Sequence, residues 1–137
     1  MSERQDYNRQ VIDEFRASRD RGEGPAAPLV ILTTTGAKSG KPHTTPVRVF
    51  FDGDKPYVLA SKGGAPSHPD WYRNLLAHPE VTVEIGKETF KATAIVTSGK
   101  ERERLWKQAV ATEPTFGEYQ VKTTREIPVI KLERHSA

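Results

Sequence analysis

The sequence predicts an α+β protein that is mainly antiparallel β, a small six-stranded barrel with helices packed outside it. Three observations predict this class. Six short segments carry strand patterning, and most follow one another at hairpin spacing. Segments of helical periodicity interrupt them after the third and the fifth strand, which places helices around a sheet rather than in alternation with parallel strands. Finally, 137 residues are enough to bury one core without disulfide or metal staples. The chain shows no internal repeat and no low-complexity segment.

The elements follow in order. Tyr7, Val11, Ile12 and Phe15 recur at helical spacing among charged residues, so Asp6 to about Arg19 is expected to be an amphipathic helix. "RDRGEGPAAP" ends it as a linker, dividing residues 1–24 from a cofactor-binding domain at 25–137. The helix could pack on the domain, cover a site or touch a membrane surface; its single short apolar face favours packing. "LVILTTT" (Leu29–Thr35) reads as a strand buried on both faces, "TTPVRVFFD" (Thr44–Asp52) as a second and "PYVLASK" (Pro56–Lys62) as a third. A helix follows, with Pro69 in its first turn, Trp71, Leu75 and Leu76 on one face, and Pro79 closing it. "VTVEI" (Val81–Ile85) and "ETFKATAIV" (Glu88–Val96) form a hairpin around "GK". Ser98 and Glu101 make a capping box for a helix with Leu105, Trp106, Ala109 and Val110 inward, and "IPVIKLER" (Ile127–Arg134) is the last strand.

Composition narrows the function. Twenty-one basic against 18 acidic residues give a net charge of +3, which suits a small anionic ligand better than nucleic acid. The absence of cysteine excludes disulfides, thiolate metal sites and a cysteine nucleophile. No apolar run approaches the roughly 18 residues of a membrane span, and "MSERQDYNRQ" lacks the apolar segment of a signal peptide, so a soluble cytoplasmic protein is expected.

Two loops stand out. "TTTGAKSGKPHTTP" (Thr33–Pro46) has glycines and lysines directly after an apolar strand, but it is not a nucleotide-binding P-loop. Gly36 and Gly40 enclose three residues instead of four, and Lys41 is followed by Pro42. What remains is either a solvated hairpin turn or a glycine-flanked anion site with two ammonium groups. "ASKGGAPSHPDWYRN" offers a second lysine-bearing glycine loop ahead of a helix start, again readable alone as a plain turn. An antiparallel barrel brings alternate strand ends together, so the two loops mean more as a pair than singly. His43, His68, His78 and His135 lack metal-ligand spacing, no serine sits in a G-x-S-x-G context, and all four histidines are expected at the surface. Trp71 and Trp106 fit the core, with Trp71 near enough to the Gly-Gly loop for a mixed role. Anion-binding loops without evident catalytic residues describe a protein that holds a phosphorylated cofactor and leaves the chemistry to it.

"LTTTGAKSGKPHTTPV", "LASKGGAPSHPDWYRNLLAHPEVTVEI" and "FGEYQ…TTREIPVIKLE" together resemble the deazaflavin-dependent nitroreductase family of actinobacteria, over Leu29 to Glu133. The resemblance implies a split β-barrel of the FMN-binding type that uses coenzyme F420 to reduce an electron-poor acceptor such as a quinone, an enone or a nitro compound. It implies that Lys38, Ser39 and Gly40 hold the cofactor phosphate or acidic tail, with Lys41 assisting, and that Pro46, Val47 and Arg48 line the deazaflavin ring. Ala60, Ser61, Lys62, Gly63 and Gly64 would contact the ring and linker, while Trp71 and Asn74 complete the pocket and Phe116 and Tyr119 surround the acceptor. No side chain is expected to be catalytic in its own right; Arg48 would polarise the acceptor. Ala37 stands where an arginine is common in the family, Arg48 where its nitroimidazole-activating member has tyrosine, and Phe116 lacks a tyrosine hydroxyl, so the acceptor side departs more than the cofactor side.

Other readings of the same loops are a flavin mononucleotide barrel oxidoreductase, a non-catalytic F420 carrier and an anionic-polymer binder. The last lacks the aromatic interleaving that base stacking needs. Fold analogy suggests a homodimer, and a quinone acceptor would place the protein peripherally at the inner face of the plasma membrane.

Overall fold

The computed structural model describes residues 3–20 and 28–135. The linker expected after the first helix falls largely at 21–27, outside the described residues. Six strands, β1 (Leu29–Thr35), β2 (Pro42–Asp52), β3 (Lys55–Leu59), β4 (Glu80–Ile85), β5 (Glu88–Val96) and β6 (Val129–Arg134), close into a barrel in the order β1-β2-β3-β6-β5-β4. Every pairing is antiparallel. The helices are α1 (Glu3–Asp20), α2 (Asp70–Ala77), α3 (Gly99–Thr112) and α4 (Thr115–Lys122), with one 3-10 turn at Lys62–Gly64. The expected split-barrel class is therefore the observed one.

The register of β2 determines where a ligand can enter. Its first part pairs with β1, from Pro42 opposite Thr35 to Arg48 opposite Leu29. Its second part pairs with β3, from Val49 opposite Val58 to Asp52 opposite Lys55. The edge of Pro42–Arg48 away from β1 therefore has no strand beside it, because the chain leaving β3 at Leu59 turns off into the 3-10 turn. A strand edge left open presents backbone donors and acceptors. Pro46 suits such an edge, since proline cannot serve a ladder on both sides.

Three apolar clusters hold the elements. Inside the barrel, Val30, Leu32, Val49, Val58, Val83, Ile130 and Leu132 pack together, and Leu75 of α2 caps one end. Outside it, Phe50, Tyr57, Leu59 and Val129 pack against Leu105 and Ala109 of α3. The third joins Ile12 and Phe15 of α1 to Ile31, which explains why β1 is buried on both faces. Glu84 on β4 reinforces this docking: its carboxylate takes two bonds from Arg16, at 3.0 and 2.7 Å, and one from Arg19 at 3.1 Å. The Arg16 hydrogen bonds hold the Glu84 carboxyl below its ordinary pKa against the opposing effect of burial. Helix α1 therefore packs on the barrel, and no described helix is long and apolar enough to cross a membrane.

Several local expectations fail for physical reasons. Leu76 is 57% exposed and does not share the inward face of Trp71 and Leu75. It lies five residues from Trp71, a step of about 140° around a helix of 3.6 residues per turn. Ser98 is the N-cap of α3, but its side chain makes no capping bond, and Glu101 pairs with Lys131 at 3.2 Å instead. Lys62 belongs to the 3-10 turn, since β3 ends at Leu59, and Ile127 precedes β6. Helix α4 was not anticipated, because its eight residues leave no side chain fully buried and show little periodic contrast. His68 is half-buried rather than a surface residue.

Candidate active site

Beside the open edge of β2 runs a groove of about 1260 Å³. One wall is Thr44–Arg48; the opposite wall is Leu59 and Ser61–Gly63. The β1–β2 loop with Lys38 and Ser39 closes one end, α2 contributes Trp71 and Asn74, and α4 contributes Phe116 and Tyr119. The barrel does bring the two glycine loops to one cavity.

The β1–β2 loop is fastened mainly to itself. The Gly36 N–H donates to the Lys41 carbonyl at 2.8 Å, and the Gly40 N–H to the Gly36 carbonyl at 3.0 Å. Gly36 is crowded, since an added Cβ would lie 2.3 Å from Ser39 Oγ and 2.8 Å from His43 Nε2. Gly40 has a φ of +70°, where glycine is the residue without penalty. The outside tether is Asn74. Its Oδ1 accepts from the Ala37 N–H at 3.0 Å, and its Nδ2 donates to the buried Thr34 hydroxyl at 3.1 Å. Asn74 thus spends its amide on positioning the loop.

The second loop is held from far along the chain. Arg125 donates from Nε to the Ala65 carbonyl at 2.9 Å, from Nη1 to the Ala60 carbonyl at 3.1 Å, and from Nη2 to the Ser61 carbonyl at 2.6 Å. Burial pushes the pKa of its guanidinium down. Gln120 fixes the segment carrying it, donating to the Arg125 carbonyl at 2.8 Å and accepting from the Ile127 N–H at 3.0 Å. Gly64 has a φ of +82°, and an added Cβ would meet the Tyr119 carbonyl at 2.6 Å, so α4 sits directly on the turn. Lys62 also has positive φ, at 48°, and its ammonium bonds Ser67 Oγ at 3.2 Å.

At the other end, Arg48 lies in the groove wall with Nη1 3.3 Å from Glu113 Oε2 and its guanidinium 5.4 Å from the Phe50 ring centre. Its Nε is buried without a hydrogen-bond partner among the described residues. Phe116 packs edge-on against both Phe50 and Tyr119, with ring centres 5.3 and 5.4 Å apart. Tyr7 and Asn8 of α1 reach the groove as well.

Comparison with known proteins decides what this groove belongs to. The F420H(2)-dependent quinone reductase family matches residues 8–134. The chain belongs to that family. An F420H(2)-dependent quinone reductase of Mycobacterium tuberculosis (strain ATCC 25618 / H37Rv) is 39% identical over 112 residues, 80% of this chain and 75% of that protein. A solved F420-H2 dependent reductase, FDR-A, superposes with a TM-score of 0.71 at 45% identity, covering 80% of this chain and all of that one. Another solved structure, described as a domain-swapped dimer, gives a TM-score of 0.74 at 40% identity over 89% of this chain and 98% of its own. The protein is thus an F420H2-dependent reductase, and its cofactor is coenzyme F420.

The residues present fit that cofactor. The open β2 edge offers backbone partners to a heterocycle, Lys38 and Lys62 place positive charge along the groove for an anionic tail, and Gly63 leaves room for close approach. Of the residues expected from sequence, Lys38, Ser39, Pro46, Val47, Arg48, Ser61, Lys62, Gly63, Trp71, Asn74, Phe116 and Tyr119 line the groove. Gly40, Lys41, Ala60 and Gly64 are not part of this lining: Gly40 and Lys41 are exposed on the β1–β2 loop, Ala60 lies in the barrel core and Gly64 beneath α4. Trp71 packs on the core and lines the groove. Sequence reasoning missed Tyr7, Asn8, Glu113, Gln120 and Arg125. None of them carried a usable local signal; Arg125 stands in "TTREIP", a segment with no strand or helix period.

Proposed function

We propose that this reductase delivers a hydride from F420H2 to a quinone-type acceptor, with the cofactor tail at the β1–β2 loop and the acceptor between Arg48, Phe116 and Tyr119. The observation that carries the reading is the polarity of the groove: ammonium groups and a glycine loop at one end, an arginine and two aromatic rings at the other. Bound in its reduced form, the deazaflavin supplies a hydride from C5. The chain's own residues do the rest by orientation, by excluding water and by stabilising charge that develops on the acceptor oxygen. Arg48 is suited to the last role, because Glu113 holds one side of its guanidinium while the side chain stays on the groove wall. A guanidinium donates hydrogen bonds without giving up its proton, so Arg48 stabilises the charge and the proton that completes reduction comes from another donor or a water. Trp71 and the backbone of Ser61–Gly63 support the ring, and Lys38 and Ser39 the tail. The domain-swapped relative supports a homodimer.

The test is titration with oxidised F420 and, separately, flavin mononucleotide, followed by fluorescence, then an anaerobic screen of quinones, enones and nitro compounds with F420H2. Selective F420 binding with quinone turnover is expected. Tight binding with no turnover on any acceptor would make the protein a carrier instead.

A further inference from the structure

His68 is the histidine whose geometry sets its protonation state. Its Nδ1 lies 3.0 Å from Arg125 Nη1. A guanidinium nitrogen can only donate, so Nδ1 must accept, and the ring is neutral with its proton on Nε2. The same Nη1 donates to the Ala60 carbonyl, and the remaining nitrogens of Arg125 hold the carbonyls of Ser61 and Ala65. One guanidinium therefore joins the imidazole to three points of the loop that forms a groove wall.

We propose that His68 and Arg125 form a brace that fixes the Ala60–Ala65 wall of the F420 groove only while His68 is neutral, so that protonating His68 loosens the wall and weakens cofactor binding. This rests on the reading that the groove holds F420. A proton on Nδ1 would set two donors against each other at hydrogen-bond distance and add a second cation beside Arg125. The charged groups whose fields reach the ring are both cationic, Arg125 and Arg73, and Asp70 is held on Arg73 at 3.1 Å. The ammonium of Lys62 is held on Ser67, one residue away in sequence, and the ring packs on Tyr72 with centres 4.7 Å apart. Burial first, then Arg125 and Arg73, push the His68 pKa below its ordinary value. A histidine released into water titrates near about 6.5. The sign follows: the brace is complete above about 6.5 and is lost as pH falls through the lower value held in the folded loop.

Two measurements test the brace. The first is ring-nitrogen NMR of His68 in the cofactor-free protein, which should show an unprotonated Nδ1 at neutral pH and a titration below that of a free imidazole. The second is F420 affinity from pH 7.5 to 5 in wild type and in His68→Asn, whose Oδ1 can accept from Arg125 but does not titrate. Ionisation of F420 itself is common to both proteins and cancels in their ratio. Wild type should lose affinity towards acid more steeply than the variant, by about tenfold for each unit by which F420 binding lowers the His68 pKa below its value in the cofactor-free protein. Parallel pH curves, or a proton on Nδ1 at neutral pH, would overturn the brace. No F420 binding at any pH would instead overturn the groove assignment and the affinity consequence with it, while the NMR result would still judge the hydrogen bond.

Discussion

The two glycine loops that face each other across the groove carry similar sequence motifs and are built by different means. The loop after β1 closes on its own backbone, through Gly36 and Lys41 and through Gly40 and Gly36, and its lysines stand in solvent. The loop after β3 also has backbone bonds of its own, from the Gly64 N–H to the Ser61 carbonyl and from the Ala65 N–H to the Lys62 carbonyl. It adds supports from residues about 60 positions away: Arg125 holds its carbonyls, and the Tyr119 backbone presses on Gly64. A self-closed loop tolerates change at its surface. A loop with distant supports transmits any change in them directly to the groove wall.

The sharpest way to break the comparison is to put the same methyl group into each loop. In Gly64→Ala the new Cβ would stand 2.6 Å from the Tyr119 carbonyl at a φ of +82°. Left-handed backbone costs a non-glycine residue about 1–2 kcal/mol, and forcing atoms into a packed site adds about 1–3 kcal/mol. In Gly40→Ala the φ of +70° is similar, but nothing lies within 4 Å of the added atom. Thermal unfolding should therefore separate the two, with Gly64→Ala melting well below Gly40→Ala. Equal melting temperatures would mean that α4 yields freely and that the second loop is not built on it.

A smaller effect is expected at the tether of the first loop. Asn74→Ala removes the acceptor of the Ala37 N–H and the donor to Thr34 Oγ1. Thr34 is buried, so its hydroxyl is poorly served by water, whereas Ala37 is exposed. The Thr34 hydroxyl keeps its bond to the His43 carbonyl at 3.5 Å, so a loss of about 0.5–1.5 kcal/mol in stability follows from the hydrogen bond removed. Weaker F420 binding and faster hydrogen exchange at the Ala37 amide should accompany it. Asn74→Asp keeps an acceptor for Ala37, and the Thr34 hydroxyl can turn to donate, so it should recover part of both losses. If Asp and Ala behave alike, the tether is not what positions the loop.

The same contrast explains what the sequence made legible. Strand patterning placed all six strands, because in a closed barrel the run of Leu29–Leu32 or the alternation of Val81, Thr82 and Val83 follows which faces are buried. Glu84 is buried against the pattern by its pairing with Arg16 and Arg19. The β1–β2 loop was legible because its determinants, Gly36, Gly40 and the lysines, are neighbours in the chain. Arg125, Gln120 and Glu113 were not, since they act through side chains reaching backbone or side chains dozens of residues away, or through an irregular segment with no period to read. Helix α4 escaped for a related reason: "TFGEYQVK" contains a glycine, and its apolar residues only partly face the core, so its signal lies in contact with Gly64 and Phe50 rather than in its own pattern. The capping box at Ser98 shows the converse, a local motif overruled when Lys131 on the neighbouring strand offered Glu101 a charge partner.

The mildest change, Lys38→Ala, tests whether the first loop contributes charge alone. Lys38 is exposed on the groove rim, where it remains hydrated and where salt screens its field. An exposed charge interaction is worth about 0.2–1 kcal/mol, so F420 affinity should fall by up to about fivefold at low salt. The difference from wild type should shrink as salt is raised, because screening removes from wild type what the substitution removes from the variant. Turnover at saturating F420H2 should stay unchanged if the proposed orientation holds, with the cofactor tail at Lys38 and the acceptor at Arg48 and Phe116. Normal binding with slow turnover would place Lys38 beside the reacting atoms and reverse the orientation of the cofactor. A salt-insensitive loss would mean that the side chain holds the fold of the loop, which would make the first loop as dependent on its supports as the second.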